Sequence, residues 1–102
     1  MKEIYIKSIA QRIGVREWQV ENCVKLFDEG ATIPFISRYR KERTGGLDEV
    51  AIAEIRHLSD VFAEMEKRKS SIMETIDQAG ALTDELKDRI EKTVDPRELE
   101  DL

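Results

Sequence analysis

The sequence predicts an all-α fold, and three observations lead there. Apolar residues recur at i, i+3, i+4 and i+7 along successive segments, the spacing of one helix face. Charged residues make up 38% of the 102 residues and aromatics only 6%, a balance that suits solvated helices better than a sheet sandwich. Five glycines and two prolines are too few for a turn-rich β fold, and they punctuate the periodic segments.

Taken in order, the first helix should run from Glu3 to Ile13, with Ile6, Ile9, Ala10 and Ile13 on one face. Gly14 ends it, because glycine accepts the left-handed cap conformation without steric cost. A second helix follows from about Arg16 to Asp28, striped by Val20, Cys23, Val24 and Phe27, and stopped at Gly30. Ile33-Pro34 opens a third, since proline in the first turn gives up no helical hydrogen bond. It carries Arg38-Tyr-Arg-Lys-Glu-Arg43 and closes at Gly45-Gly46.

Leu47-Asp48 starts the dominant element, with Asp48 as N-cap and Leu47 placed to pack on Ile52. From there Ala51, Ile55, Leu58, Phe62, Met65, Lys69, Ile72, Ile76 and Ala79 alternate steps of four and three. This is a coiled-coil-type seam broken once, at Lys69. Within Lys67-Arg-Lys-Ser-Ser71, that break reads as an exposed stretch where the helix leaves its packing partner, with a contact to another domain as the alternative. At ~1.5 Å per residue the helix is roughly 48 Å long and should project beyond, or brace, what it packs on. Thr83 caps a further helix bearing Leu86, Ile90 and Val94. Asp95-Pro-Arg-Glu98 is another helix start, with little chain after it, as expected for a piece of a larger protein. Five or six helices follow from these signals. They group as 1–46, helix-turn-helix-like helices with a basic corner, and 47–102, the long helix with short C-terminal helices.

The overall charge of −5 is unevenly spread. Residues 1–43 hold nine Lys/Arg against six Asp/Glu, whereas 44–102 hold eight against sixteen. Polyanion contact would therefore be confined to the first part. One cysteine, Cys23, excludes an internal disulfide and suits the cytoplasm. Neither a signal peptide nor an apolar run of membrane-spanning length is visible, so no membrane partner is expected.

Candidate chemistry is sparse. His57 has no companion at ligand spacing, Cys23 lies on an apolar face, and no Gly-rich phosphate loop or H-E-x-x-H occurs. The reading is non-enzymatic, with neither cofactor nor metal. Two binding features stand out. Ile9 to Val24 has helix-turn-helix spacing, with Ala10 and Gly14 permitting a close crossing and Val15 and Val20 seating the second helix. Arg16, Trp18, Gln19 and Asn22 would then face a groove, against the repulsion of Glu17 and Glu21 for phosphate. The basic corner Arg38, Tyr39, Arg40, Lys41 and Arg43 could grip phosphate and stack on a base. Its cations could equally complement a helix dipole, or pair with acids on the long helix or on another domain.

The wording of Asp28-Glu-Gly-Ala-Thr-Ile-Pro-Phe-Ile-Ser-Arg-Tyr-Arg-Lys-Glu42, Thr44-Gly-Gly-Leu-Asp48 and Leu99-Glu-Asp-Leu102 resembles the N-terminal helical region of the Tex family of bacterial transcription accessory proteins. The resemblance covers essentially the whole chain and is weaker over residues 1–15 and 60–95. It implies a longer protein carrying RNase H-like, helix-hairpin-helix and C-terminal OB-type RNA-binding domains, none of them within these residues. It further implies nucleic-acid binding mainly through that last domain, with the transcription machinery as a partner. The expectation is a helical scaffold module of a nucleic-acid (RNA)-binding transcription accessory protein. The alternatives are a stand-alone helix-turn-helix DNA-binding domain and a protein-interaction or oligomerisation module built on the seam.

Overall fold

The computed structural model describes residues 1–101, and in them the chain forms seven helices and no strand. These are α1 Glu3–Ile13, α2 Glu17–Asp28, α3 Ile33–Tyr39, α4 Lys41–Thr44, α5 Glu49–Gln78, α6 Asp84–Lys92 and α7 Pro96–Glu100. The all-α expectation holds, but the count exceeds five or six. The segment read as one helix through Arg43 is broken at Arg40, whose backbone (φ −132°, ψ 33°) leaves helical geometry. By packing, the chain divides into two compact units, Met1–Asp60 and a second from Val61 onward.

In the first unit α1 packs on α2, α2 on α4 and α3 on α4. Tyr5, Ile6, Ile9 and Ala10 of α1 are buried with Val20, Cys23 and Leu26 of α2, Ile36 of α3, and Ile52 and Ile55 of α5. Full burial of an aliphatic side chain of this size stabilises by roughly 1.5–3 kcal/mol. On α2 the buried stripe is Val20, Cys23 and Leu26, while Val24 and Phe27 are half-buried. Phe27 is engaged all the same: the Arg56 guanidinium of α5 lies 5.0 Å from its ring centre, a cation–π contact. The helix starts behave as their caps dictate. Thr32 Oγ1 accepts from Phe35 N at 3.3 Å, and Asp48 Oδ1 accepts from Ala51 N at 2.8 Å.

In the second unit the seam of α5 is dry at its centre and wet at its end. Phe62 and Met65 are buried, Ile72 and Ile76 are half-buried and Ala79 is exposed. Thr83 Oγ1 caps α6 by accepting from Leu86 N at 3.1 Å, and Ile90 is fully buried. The helix start at Asp95 does acquire a body. Asp95 Oδ1 accepts from Arg97 N at 2.9 Å, and Leu99 of the five-residue α7 is buried. The next residue, Glu100, takes a two-pronged ion pair from Arg68, with Nη2 to Oε2 at 2.9 Å and Nε to Oε1. Of the Leu99–Leu102 signature, Leu102 lies outside the described residues.

Lys69 reverses its sequence reading. It is 1% exposed, although its neighbour Lys67 is open to solvent. Its ammonium donates to the carbonyls of Glu91 (3.0 Å) and Thr93 (2.7 Å), with a Glu66 carboxylate oxygen 3.9 Å away. Those carbonyls end α6, where the helix has no backbone donors left to offer and its dipole is negative. The seam does not break at Lys69; there it meets a helix terminus instead of a hydrophobic surface.

Candidate nucleic-acid interface

The basic corner takes its form from the break at Arg40. Arg38 and Tyr39 stay on α3, Lys41 and Arg43 move to α4, and Arg40 bridges the two. Arg38 and Lys41 are exposed and Tyr39 is 62% exposed, while Arg40 and Arg43 are half-buried. The inner pair is engaged. Arg40 Nη1 donates to the Tyr39 carbonyl at 2.8 Å, and its guanidinium sits 4.7 Å over the Phe35 ring. Arg43 lies 3.7 Å from Glu29, an acid just past α2 and not one on the long helix. Among the described residues, the side chains of Arg38 and Lys41 form no ion pair.

Sequence reasoning missed Phe35 as a member of this cluster. Its ring is 38% exposed, and its centre lies 5.4 Å from that of Tyr39 with the planes tilted by 50°. The i, i+4 spacing on one helix was the available signal. Beside the Phe35 ring runs an open groove of about 560 Å³, lined also by Arg40, Arg43, Glu29 and the turn Gly30-Ala31-Thr32.

What holds α4 in place comes from α2, and it corrects the groove-reading assignment of Gln19 and Asn22. Gln19 Nε2 donates to the Thr44 carbonyl at 2.8 Å, while its Oε1 accepts from Arg16 N at 2.9 Å. Asn22 Nδ2 donates to the Arg43 carbonyl at 2.7 Å. A four-residue helix makes almost no internal ladder, so its terminal carbonyls need such partners. Buried Thr44 completes the joint by accepting from Leu47 N at 3.3 Å. At Gly45 the two segments come close together. A Cβ there would come within 2.7 Å of both Gln19 Nε2 and Trp18 Cη2, and its φ of +70° lies in the left-handed region. Trp18 and Gln19 therefore lie against the end of α4.

Elsewhere, Cys23 is fully buried, and burial pushes its thiol up to about 11. It stays protonated at neutral pH and fills space. Among the described residues no helix is long and apolar enough to cross a membrane.

These features define a helical module that presents a braced corner of arginine, lysine and aromatic side chains. The chain belongs to the Tex-like protein N-terminal domain family, whose model matches residues 3–77. It is 42% identical to Protein YhgF of Escherichia coli (strain K12) over 102 residues, all of this chain and 13% of that protein. With the transcriptional accessory protein Tex of Neisseria gonorrhoeae it shares 37% identity over 94 residues, 92% of this chain and 12% of the relative. A more distant relative is the human S1 RNA-binding domain-containing protein 1, 28% identical over 79 residues, 78% of this chain and 8% of that protein. The chain thus spans about an eighth of the bacterial relatives it matches.

Proposed function

We propose that this chain is a non-enzymatic helical scaffold module of a nucleic-acid-binding transcription accessory protein, and that its basic corner is the face that meets phosphate. The observation that carries this reading is the use made of α2. Its amide side chains, the groups that would read base edges, are bound to the carbonyls of Thr44 and Arg43. The second helix braces the corner and has little left with which to select a sequence. The names of relatives, one a transcriptional accessory protein and one an S1 RNA-binding domain-containing protein, support the setting in transcription and RNA binding. Its nearest partners are then other domains of a longer polypeptide: the RNase H-like, helix-hairpin-helix and OB-type RNA-binding domains implied by the family resemblance. The transcription machinery is the wider partner and the cytoplasm the compartment.

A salt-dependent titration of the chain with nucleic acid tests this. Contact should be weak and without sequence preference. Of the four cations Arg38, Arg40, Lys41 and Arg43, the inner pair Arg40 and Arg43 is already engaged. With Arg38 and Lys41 on phosphate, the slope of log K against log salt should be about −1.4 to −1.8, from ~0.7–0.9 per phosphate. Replacing the four by Ala should abolish it. Tight, sequence-selective binding that survives this change would overturn the proposal in favour of a helix-turn-helix reader.

A further inference from the structure

We infer that the corner is a platform for unpaired bases: Tyr39 and Phe35 stack against single-stranded nucleic acid while Arg38 and Lys41 hold the flanking phosphates. The inference rests on the phosphate-contact reading above and narrows its ligand. A tyrosine as exposed as Tyr39, at 62%, gains little from burial where it stands. Its position is nevertheless set, by Phe35 at 5.4 Å and by Arg40, which clamps the Phe35 ring from 4.7 Å and bonds the Tyr39 carbonyl. An exposed aromatic held in place is suited to stacking on a flat ligand. Arg38 precedes it and Lys41 follows two residues on, past Arg40; both are exposed, and neither forms an ion pair among the described residues. That alternation of cation, ring and cation is the chemistry of single-strand recognition, in which bases supply π-faces and the backbone supplies charge.

A duplex fits the corner less well. Its π-faces are hidden in the stack, and its base edges call for amide or guanidinium readers in a groove. Gln19 and Asn22 are occupied, and Arg40 and Arg43 are turned to Phe35 and Glu29. Glu42, exposed on α4, is an opposing charge within the corner, whereas Glu29 is offset by Arg43. The groove of about 560 Å³ beside Phe35 falls in the range of sites that take a small ligand, about 300–1,000 Å³, and gives a displaced base somewhere to rest.

The test is fluorescence anisotropy of the chain with labelled oligouridine, oligothymidine and a duplex of equal length at low salt. The variants are Tyr39→Ala, Tyr39→Phe, Phe35→Ala and the double change Arg38→Ala/Lys41→Ala, each checked for helicity by circular dichroism. Both single strands should bind more tightly than the duplex. Tyr39→Ala should weaken single-strand binding about fivefold or more, the lower end of the stacking range per base, and leave the duplex unchanged. Tyr39→Phe should retain binding, because the π-face remains. If Tyr39→Ala and Phe35→Ala bind all three ligands as the parent does, the stacking platform is wrong and the rings serve another partner. Loss of all binding in the double cation variant would then still uphold the phosphate contact. Absence of binding to every ligand would remove both.

Discussion

The Lys69 ammonium donates to the Thr93 carbonyl over 2.7 Å, closing the C-terminal end of α6 from inside the second unit. A charge at 1% exposure is costly to hold, and two carbonyls with a nearby carboxylate offset that cost. Lys69→Met keeps most of the stem and removes the donors, leaving the Thr93 carbonyl buried and unpaired. That should destabilise by about 1–3 kcal/mol for this one group. The readout is a lower urea midpoint at unchanged slope. A midpoint equal to the parent's would show that desolvation of the ammonium cancels its bonds.

Phe62 is fully buried at the centre of the α5 seam. Phe62→Ala should cost ~3–5 kcal/mol, the usual effect of deleting a buried aromatic. Chemical denaturation followed by circular dichroism at 222 nm measures it. The change at Ala79, exposed at the end of the same seam, to Ser should be near neutral by comparison.

Gly45 and Gly46 both have positive φ, +70° and +83°, but differ in what surrounds them. A methyl group at Gly46 meets nothing within 4 Å, so Gly46→Ala carries only the backbone penalty, roughly 1–2 kcal/mol. At Gly45 it would strike Trp18 and Gln19 at 2.7 Å. Gly45→Ala should therefore destabilise more than Gly46→Ala and also shift the Trp18 emission. Equal melting temperatures for the two variants would mean that the α2–α4 joint yields freely.

Cys23 gives a pH dependence with a definite sign. Its thiol is raised from 9.0 to about 11 by burial, so the folded state favours the protonated form. This contribution to stability is fully present below about pH 9 and is lost as pH rises towards 11. Cys23→Ala should flatten the fall in melting temperature across that window. A thiol reagent at neutral pH should label the native chain far more slowly than the unfolded one.

The helices and their caps were legible in the sequence because they depend on neighbours a few residues apart. Gly14 and Gly30 fall at positive φ as helix-ending glycines do, and Asp48, Thr83 and Asp95 bond the backbone two or three residues on. Burial of Phe62 could likewise be read from its place in the seam. The family wording from Asp28 to Asp48 was also plain in one dimension.

What only the tertiary structure decided depends on partners far along the chain. Gln19 and Thr44 are 25 residues apart, Asn22 and Arg43 are 21, and Lys69 and Thr93 are 24. Each is a polar side chain whose fate turned on an unpaired carbonyl brought to it by folding. A Gln, Asn or Lys on a helix surface looks the same in sequence whether it will face water, a base or a helix terminus. The break at Arg40 belongs with them, since the turn that places Tyr39 in solvent is held by α2 acting on α4. Apart from that break, periodicity and capping chose the helices by themselves. The placing of carbonyl ends beside particular amides and one ammonium chose which side chains were left free to meet a ligand.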